Sequence, residues 1–212
     1  FEYAKGGFPD WTEWHSTTTK TPPYAELEPR FHATILYNGA AWKGRTIESY
    51  VGGGDGWCQW NIEREPKGRT TTGYYLRKLV DENHNVITQS GSVQPFTIIR
   101  YAEVLMIYAE ALNNLTKSHT IGGETFSRDE MAMATAFNQV RYRAGLPGAS
   151  AEELASAEAF NEAIQRERLV EFLHENRRYY DICRWGIFEE LEREPLTGLN
   201  IEAGEWEGFY SP

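Results

Sequence analysis

Hydrophobic residues between positions 98 and 190 follow the spacing of α-helices. In the first segment, residues 98–115, the larger apolar side chains recur three or four positions apart, which places them on one helix face. They are Tyr101, Leu105, Tyr108, Leu112 and Leu115. The same spacing predicts a second helix that ends before Gly145, a long one from residue 150 to about 174, and a shorter one over about 178–190.

Two capping boxes mark the expected starts of helices. Ser127 is followed by Glu130, and Ser150 is followed by Glu153, a spacing at which the side chains satisfy backbone groups at a helix N-terminus. Four helices joined by short loops predict a mainly α fold built from stacked, TPR-like helix hairpins.

Residues 1–97 lack this periodicity. Gly, Pro and Asn-Gly turn signals are dense there. Only short strands are predicted, at 34–37 and at 70–80, with 86–88 as a hairpin partner of the latter. The sequence therefore predicts three regions. Residues 1–97 form an irregular lobe with short β-strands, which is the candidate ligand-binding region; residues 98–190 form a TPR-like helical scaffold; and residues 191–212 form an acidic, loop-rich tail. We expect the three regions to form one unit rather than independent domains.

Charge narrows the possible partners. The 212 residues contain 21 Lys plus Arg and 31 Asp plus Glu, for a formal net charge of −10. A protein that binds nucleic acid needs a concentrated basic face, so no nucleic-acid partner is expected. Most of the negative charge lies after residue 97, because residues 1–97 carry 10 basic and 11 acidic groups. The irregular lobe is therefore nearly neutral.

Tryptophan is concentrated in this neutral lobe. Five of the seven tryptophans lie within the first 60 residues: Trp11, Trp14, Trp42, Trp57 and Trp60. An indole ring offers a flat apolar face on which the C–H face of a sugar can stack. We therefore take these five as candidate stacking platforms. Nearby polar side chains, Asp10, Asp55 and Asn61, are candidate partners for sugar hydroxyls.

Residues 165–185 alternate acidic, basic and aromatic side chains. On a helix Glu167, Glu171 and Glu175 share one face, because they are four residues apart. One interpretation is a paired-carboxylate hydrolase site. The other, which we favour, is a structural ion-pair network, because neighbouring arginines keep carboxylates ionised whereas a general acid needs a raised pKa. Its expected members are Glu167, Arg168, Glu171, Glu175, Arg177, Asp181 and Arg184.

Neither a metal nor a cofactor is expected. Cys58 and Cys183 have no second cysteine near them, so a structural zinc site is not indicated. His174-Glu175 begins like a zinc-protease helix, but residue 178 is Arg where that motif needs His. The glycine run at 52–56 precedes no capped helix and is interpreted as a loop rather than a phosphate cradle. No catalytic residue is assigned.

Five segments of the chain resemble motifs of the SusD/RagB family, and they occur in the family's order. Three lie in the predicted helical part: IRYAEVLMIYAEALN at 99–113, FNQVRYRAGLP at 137–147 and QRERLVEFLHENRRYYDICRW at 165–185. Two lie in the irregular part: EPRFHATILYNGAAWKG at 28–44 and GYYLRK at 73–78. Glu28 stands where the family usually has Asp, and Asn176 where it has Gly.

The resemblance implies the C-terminal part of a bacterial surface lipoprotein. Such proteins bind glycans without cleaving them and deliver oligosaccharide to a SusC-like TonB-dependent transporter. They are held in the outer membrane by an N-terminal lipid anchor that is absent from this chain. Two alternatives remain open from the residues: a helical protein-interaction scaffold without a ligand site of its own, and a glycoside hydrolase using Glu167, Glu171 and Glu175.

Overall fold

The structure, a computed structural model, describes residues 1–11, 22–56, 70–85, 87–89, 91, 97–193 and 198–204. The chain forms two compact units, one of residues 1–7, 28–30 and 96–186, here called the helical unit, and one of residues 8–27, 31–95 and 187–212, here called the irregular unit. The described helices and strands, in chain order, are α1 (Pro29–Thr34), β1 (Ile35–Leu36), β2 (Ala41–Trp42), β3 (Arg45–Thr46), β4 (Tyr75–Leu76), α2 (Tyr101–Asn113), β5 (His119–Ile121), β6 (Glu124–Phe126), α3 (Glu130–Arg143), α4 (Ala151–Leu154), α5 (Ala157–Glu171), α6 (Arg178–Trp185) and α7 (Phe188–Glu192).

The core of the helical unit lies among α2, α3 and α5. Its side chains are Met106, Ala109, Leu112, Met133, Ala136, Phe137, Val140, Phe160, Ala163, Ile164 and Phe172. The rings of Phe137 and Phe160 meet with centroids 5.2 Å apart. Because Ala109, Ala136 and Ala163 are small, the three helices can approach closely around the two rings. The chain is thus mainly helical, as the hydrophobic periodicity predicts.

Only part of the predicted apolar face of α2 is buried. Leu112 is buried, whereas Tyr101 and Tyr108 are 67% and 43% exposed. Met106 and Ala109 instead point into the core and are fully buried. Spacing alone misplaces the buried side, because a tyrosine counts as apolar in the pattern while α3 and α5 decide which side of α2 is covered.

Helix starts follow the sequence signals in one case and depart from them in two. Ser150 and Glu153 form the predicted capping box, at the start of the short helix α4. At α3 the predicted box is wrong, because Asp129 is the N-cap and accepts a hydrogen bond from the backbone N–H of Ala132 at 3.0 Å. The long helix expected from residue 150 is divided, because Ser156 caps a new helix, α5.

Strands of the irregular unit are two residues long and form two antiparallel pairs in the described part. Strand β1 pairs with β4, with Ile35 opposite Leu76. The predicted hairpin between 70–80 and 86–88 is therefore wrong, and Ile87 and Thr88 lie in a turn. Strands β2 and β3 form a tight hairpin through Lys43 and Gly44, which both have positive φ, as a type I′ turn requires.

Apolar contacts hold these short strands. Leu36, Ala40 and Ile47 form a small buried cluster. Beside it Tyr24 stacks against Phe31 with ring centroids 5.4 Å apart, and its hydroxyl lies 2.7 Å from that of Tyr74. Because the strands are too short for long hydrogen-bonded ladders, side-chain packing of this kind stabilises the unit. Among the residues that the structure describes, no helix is long and apolar enough to cross a membrane.

Candidate functional site

Trp42 is the best-defined of the predicted stacking residues. It ends β2, is half-buried, and packs against the cluster of Leu36, Ala40 and Ile47. Two cations lie over its ring, with Lys43 Nζ 5.9 Å and Arg77 Cζ 5.8 Å from the ring centroid. Such cation–π contacts hold charged N–H donors next to the indole.

Both cations near Trp42 are held by further contacts. Lys43 Nζ donates to the carbonyl of His84 at 2.6 Å. The Arg77 guanidinium donates to Glu82 at 2.7 Å and to the carbonyl of His32 at 3.2 Å. These contacts fix the positions of the donors around the ring and leave each cation with further N–H groups.

Asp55 lies in the same part of the unit but already has partners. Arg45, which is paired with Trp42 across the β2–β3 hairpin, donates to both Asp55 carboxylate oxygens at 2.5 Å. The backbone N–H of Glu48 donates to one of them at 3.0 Å. Burial would raise the pKa of Asp55, but the bonds from Arg45 and Glu48 outweigh it, so the pKa is lowered. Asp55 therefore remains an anion that holds the turn.

The glycine run folds tightly onto the preceding segment. Asp55 N–H donates to the carbonyl of Glu48 at 2.9 Å, and Gly53 N–H to the carbonyl of Tyr50 at 3.0 Å. A Cβ at Gly56 would lie 1.8 Å from the carbonyl oxygen of Tyr50. The glycines thus allow two stretches of backbone to touch, which is a structural use rather than a phosphate-binding one.

Of the other predicted ligand residues, two are described. Trp11 is 39% exposed and Asp10 is exposed as well. Trp14, Trp57, Trp60 and Asn61 lie outside the described residues. The structure thus brings Trp42 and Asp55 together through Arg45, and the role of all eight residues in ligand binding stays a prediction.

Carboxylates of the 165–185 segment are buried among arginines. Glu171 accepts hydrogen bonds from Arg100, from Arg30 at 2.9 Å and from Arg143 at 2.5 Å. Glu167 pairs with Arg30 at 2.6 Å and with Arg141 at 3.0 Å. Because both carboxylates are less than 5% exposed, these arginines supply the charge compensation that burial requires.

A second group of ion pairs joins α6 to α2 and α5. Arg168 donates from Nε and Nη2 to both carboxylate oxygens of Asp181, at 2.9 and 2.8 Å. Arg184 pairs with Asp181 at 2.9 Å and with Glu110 of α2, and Glu110 also accepts from Trp185 Nε1 at 2.7 Å. The remaining predicted members also have partners: Glu175 pairs with Arg100 at 2.7 Å and Arg177 with Glu103 at 2.9 Å.

The electrostatics of Glu171 suit a structural anion. Burial would raise its pKa, but the charges and hydrogen bonds of Arg100, Arg30 and Arg143 outweigh burial and lower it. A general acid needs the opposite shift. Among the described residues, no three His, Cys, Asp or Glu side chains are arranged to hold a metal ion.

Comparison with known proteins gives the family. The family model described as "SusD family" matches residues 1–211, nearly the whole chain. The chain belongs to the SusD family. A comparison with curated proteins finds no match.

Two solved structures, both from Bacteroides fragilis NCTC 9343, share the fold of this SusD-family chain. One is a SusD-like protein, 27% identical with a TM-score of 0.61, and the match covers 90% of this chain and 35% of that one. The other is a SusD-like carbohydrate binding protein, 25% identical with a TM-score of 0.65, and the match covers 90% of this chain and 34% of that one. The chain thus spans about a third of the length of these proteins.

Sequence reasoning missed most partners of the ion pairs in this SusD-family chain. They come from outside the 165–185 segment: Glu2, Glu28, Arg30, Arg100, Glu103, Glu110, Arg141 and Arg143. One signal could have found some of them. Glu110 and Arg141 are charged residues at otherwise apolar positions of a helix, and such residues need a partner when they are buried.

Proposed function

We propose that this chain is part of a non-catalytic protein that binds glycans at the bacterial cell surface. One observation carries the proposal: the SusD family model matches residues 1–211, and a solved structure of the same fold is described as a SusD-like carbohydrate binding protein. In this proposal the ligand is an oligosaccharide or polysaccharide, which is passed to a SusC-like TonB-dependent transporter. An N-terminal lipid anchor of the full-length protein would hold it in the outer membrane.

The surroundings of Trp42 support sugar binding. A sugar ring has an apolar C–H face and a rim of hydroxyls, so it needs an aromatic surface with hydrogen-bonding groups beside it. Trp42 supplies the ring, and Lys43 and Arg77 supply N–H donors that are already positioned. Trp11, being 39% exposed, offers a second aromatic surface in the same unit.

The buried carboxylates support binding without cleavage. A glycosidase would need one carboxyl with a raised pKa and a second one free to attack or to activate water. Glu171 has a lowered pKa, and Glu167 is held between Arg30 and Arg141. These charges are better suited to holding helices together than to proton transfer.

The test measures glycan binding by the intact chain and two tryptophan variants. A glycan array identifies a ligand, and isothermal titration calorimetry then gives its Kd for wild type, Trp11→Ala and Trp42→Ala. We expect each variant to bind about fivefold more weakly, because a stacked ring contributes about 1 kcal/mol beyond area burial. Tyr142→Ala is the matched control, since it removes a 63% exposed ring from the helical unit.

Two results would overturn the proposal. The first is that no glycan binds. If a glycan binds and Trp11→Ala and Trp42→Ala both bind it as tightly as wild type and Tyr142→Ala, only the assignment of these two tryptophans as stacking residues is wrong. The second is release of new reducing ends from the bound glycan, with loss of that release in Glu171→Gln. An interaction scaffold without a ligand site would give the first result and a glycosidase the second.

The transporter requires a separate test. A full-length protein containing this chain should co-purify from detergent-solubilised outer membranes with a TonB-dependent transporter. Recovery without any such transporter would contradict the delivery step and leave glycan binding to be decided by calorimetry.

A further inference from the structure

A pocket of about 480 Å³ lies where α5 ends and α6 begins, wholly within the helical unit. Three of the side chains around it are arginines, Arg168, Arg177 and Arg178, and His174 lies beside them. No carboxylate occurs among the described residues that line it. In a chain of net charge −10, this is a local concentration of positive charge.

Arg168, one of the residues that line this pocket, has a donor without a partner. Its side chain is 4% exposed, and Nε and Nη2 are both occupied by Asp181. Nη1 is buried and has no hydrogen-bond partner in the described part of the chain, and the same holds for Nε of Arg177. A buried N–H without an acceptor costs free energy, so the two arginines carry donors that are not fully used by protein acceptors.

The N-terminus of α6 also contributes to the pocket. Arg177 is its N-cap, and no side chain caps the helix. The first three residues of the helix, Arg178, Tyr179 and Tyr180, all line the pocket. The N–H groups of a first helical turn have no acceptor within the helix, and together with the helix dipole they favour an anion.

Neighbouring carboxylates do not neutralise the whole cluster. Glu103 is paired with Arg177, Glu110 with Arg184, and Asp181 with both Arg168 and Arg184. Arg178 has no ion pair with any residue that the structure describes. Asp181 also attracts Arg178, so four guanidinium groups share three carboxylates around the pocket.

Two aromatic rings border the positive pocket. Tyr179 and Tyr180 are 68% and 66% exposed, and their rings meet edge to face with centroids 5.5 Å apart. Exposed rings beside an anion site suit a ligand that carries both a flat apolar face and a negative group. A sugar with a carboxylate has both.

We propose that this pocket binds a uronic acid residue of a glycan. The carboxylate accepts hydrogen bonds from Arg178 and from the N-terminus of α6, while the sugar ring packs against Tyr179 or Tyr180. The proposal rests on the proposed glycan-binding function, but it names a second site, in the unit that does not contain Trp42.

Calorimetry with digalacturonic acid and its methyl ester tests the proposal, because the ester keeps the rings and removes the charge. Wild type should bind the acid about tenfold more tightly than the ester, since a hydrogen bond to a charged group is worth roughly one such factor or more. Arg178→Gln should lose this preference. Arg166→Gln, which removes an arginine of α5 that pairs with Glu153 outside the pocket, should keep it.

A second variant and a small anion complete the test. Tyr180→Ala should weaken binding of the acid without abolishing the preference over the ester, and acetate should bind more weakly than digalacturonic acid. Equal binding of acid and ester, an unchanged preference in Arg178→Gln, or acetate binding as tight as that of the acid would each overturn the proposal. If array glycans bind and digalacturonic acid does not, this inference fails while the proposed function stands; if nothing on the array binds, the proposed function fails.

Discussion

At the residue scale, Glu171 shows how a buried carboxylate stays charged in this protein. Three arginines from different parts of the chain, Arg30, Arg100 and Arg143, donate to its oxygens. Burial alone would raise the pKa of the group, but the nearby positive charges and their hydrogen bonds outweigh burial and lower the pKa. The carboxylate thereby links the segments that contribute the arginines.

Glu171→Gln should destabilise the fold in a pH-dependent way. Because the folded-state pKa lies below the ordinary value of 4.5, the ionised group stabilises the folded state above that value, and this contribution is lost as pH falls through the folded-state pKa. The variant should lose about 3–5 kcal/mol of unfolding free energy at neutral pH, as expected when one partner of a buried ion pair is removed.

Urea unfolding at neutral pH and at several acidic pH values measures the effect of Glu171→Gln. The difference from wild type should shrink as pH falls below about 4.5. Glu162→Gln is the matched control, because Glu162 lies exposed on the same helix. A difference that stays constant with pH would mean that the charge of Glu171 is not what stabilises the fold.

The arginines that pair with Glu171 cannot be identified from the sequence alone. The spacing of Glu167, Glu171 and Glu175 correctly places buried charges on one helix face, but it cannot identify Arg30, which is 141 positions before Glu171. Helical periodicity relates only residues three or four apart. Contacts between distant segments depend on how the helices pack.

At the element scale, the turn at 52–56 depends on glycine for space. Gly53 and Gly56 lie against the backbone of Glu48 and Tyr50, and the Asp55 carbonyl accepts a hydrogen bond from the hydroxyl of Tyr75, the first residue of β4. The turn thus links two parts of the irregular unit that contains Trp42. The sequence shows that the turn is rich in glycine, but it does not show at which positions a side chain would collide with the neighbouring backbone.

Gly56→Ala should destabilise the irregular unit, whereas Gly54→Ala should not. A Cβ at Gly56 would lie 1.8 Å from the Tyr50 oxygen, so the backbone must move, while a Cβ at Gly54 would meet only Glu48 Oε2 at 3.8 Å. We expect a loss of about 1–3 kcal/mol for Gly56→Ala, as for other overpacked sites. Thermal unfolding of both variants by near-UV circular dichroism checks this, and equal melting temperatures would contradict it.

Helices were more predictable than strands for a physical reason. A helix satisfies its hydrogen bonds locally, so spacing and caps such as Ser150 reveal it. The strands of the irregular unit are two residues long, and β4 pairs with β1, about 40 positions earlier. Packing of the aromatic residues around Tyr24 and Tyr74 and hydrogen bonds from Arg77 to Thr34 and His32 bring those segments together.

At the scale of the whole molecule, the first residues belong to the helical unit. Glu2 pairs with Arg141 of α3 at 2.6 Å, across 139 positions of sequence, and its backbone carbonyl accepts from Glu28 N–H at 2.9 Å. Arg141 is 6% exposed. The first residues of the chain therefore pack against helices of this unit that begin about a hundred residues later in the sequence.

Glu2→Ala should destabilise this unit strongly. The substitution leaves Arg141 buried with only Glu167 as a charged partner, at 3.0 Å, and breaking a buried pair costs about 3–5 kcal/mol. Thermal unfolding followed by far-UV circular dichroism should show a lower midpoint. Lys5→Ala, at an exposed residue of the same segment, should leave it unchanged, and an unchanged midpoint for Glu2→Ala would show that the pair contributes nothing.

The sequence by itself determined the family, the mainly helical composition and the concentration of tryptophan in a near-neutral region, because motifs, periodicity and composition are local properties. Only the tertiary structure decided which face of α2 is buried, which arginine pairs with which carboxylate, and that Trp42 is flanked by two cations. It also decided that Arg168, Arg177 and Arg178 line one pocket at the N-terminus of α6. Most of these depend on contacts between residues far apart in the chain, such as Arg77 with Trp42 and Arg30 with Glu171, which no local pattern contains.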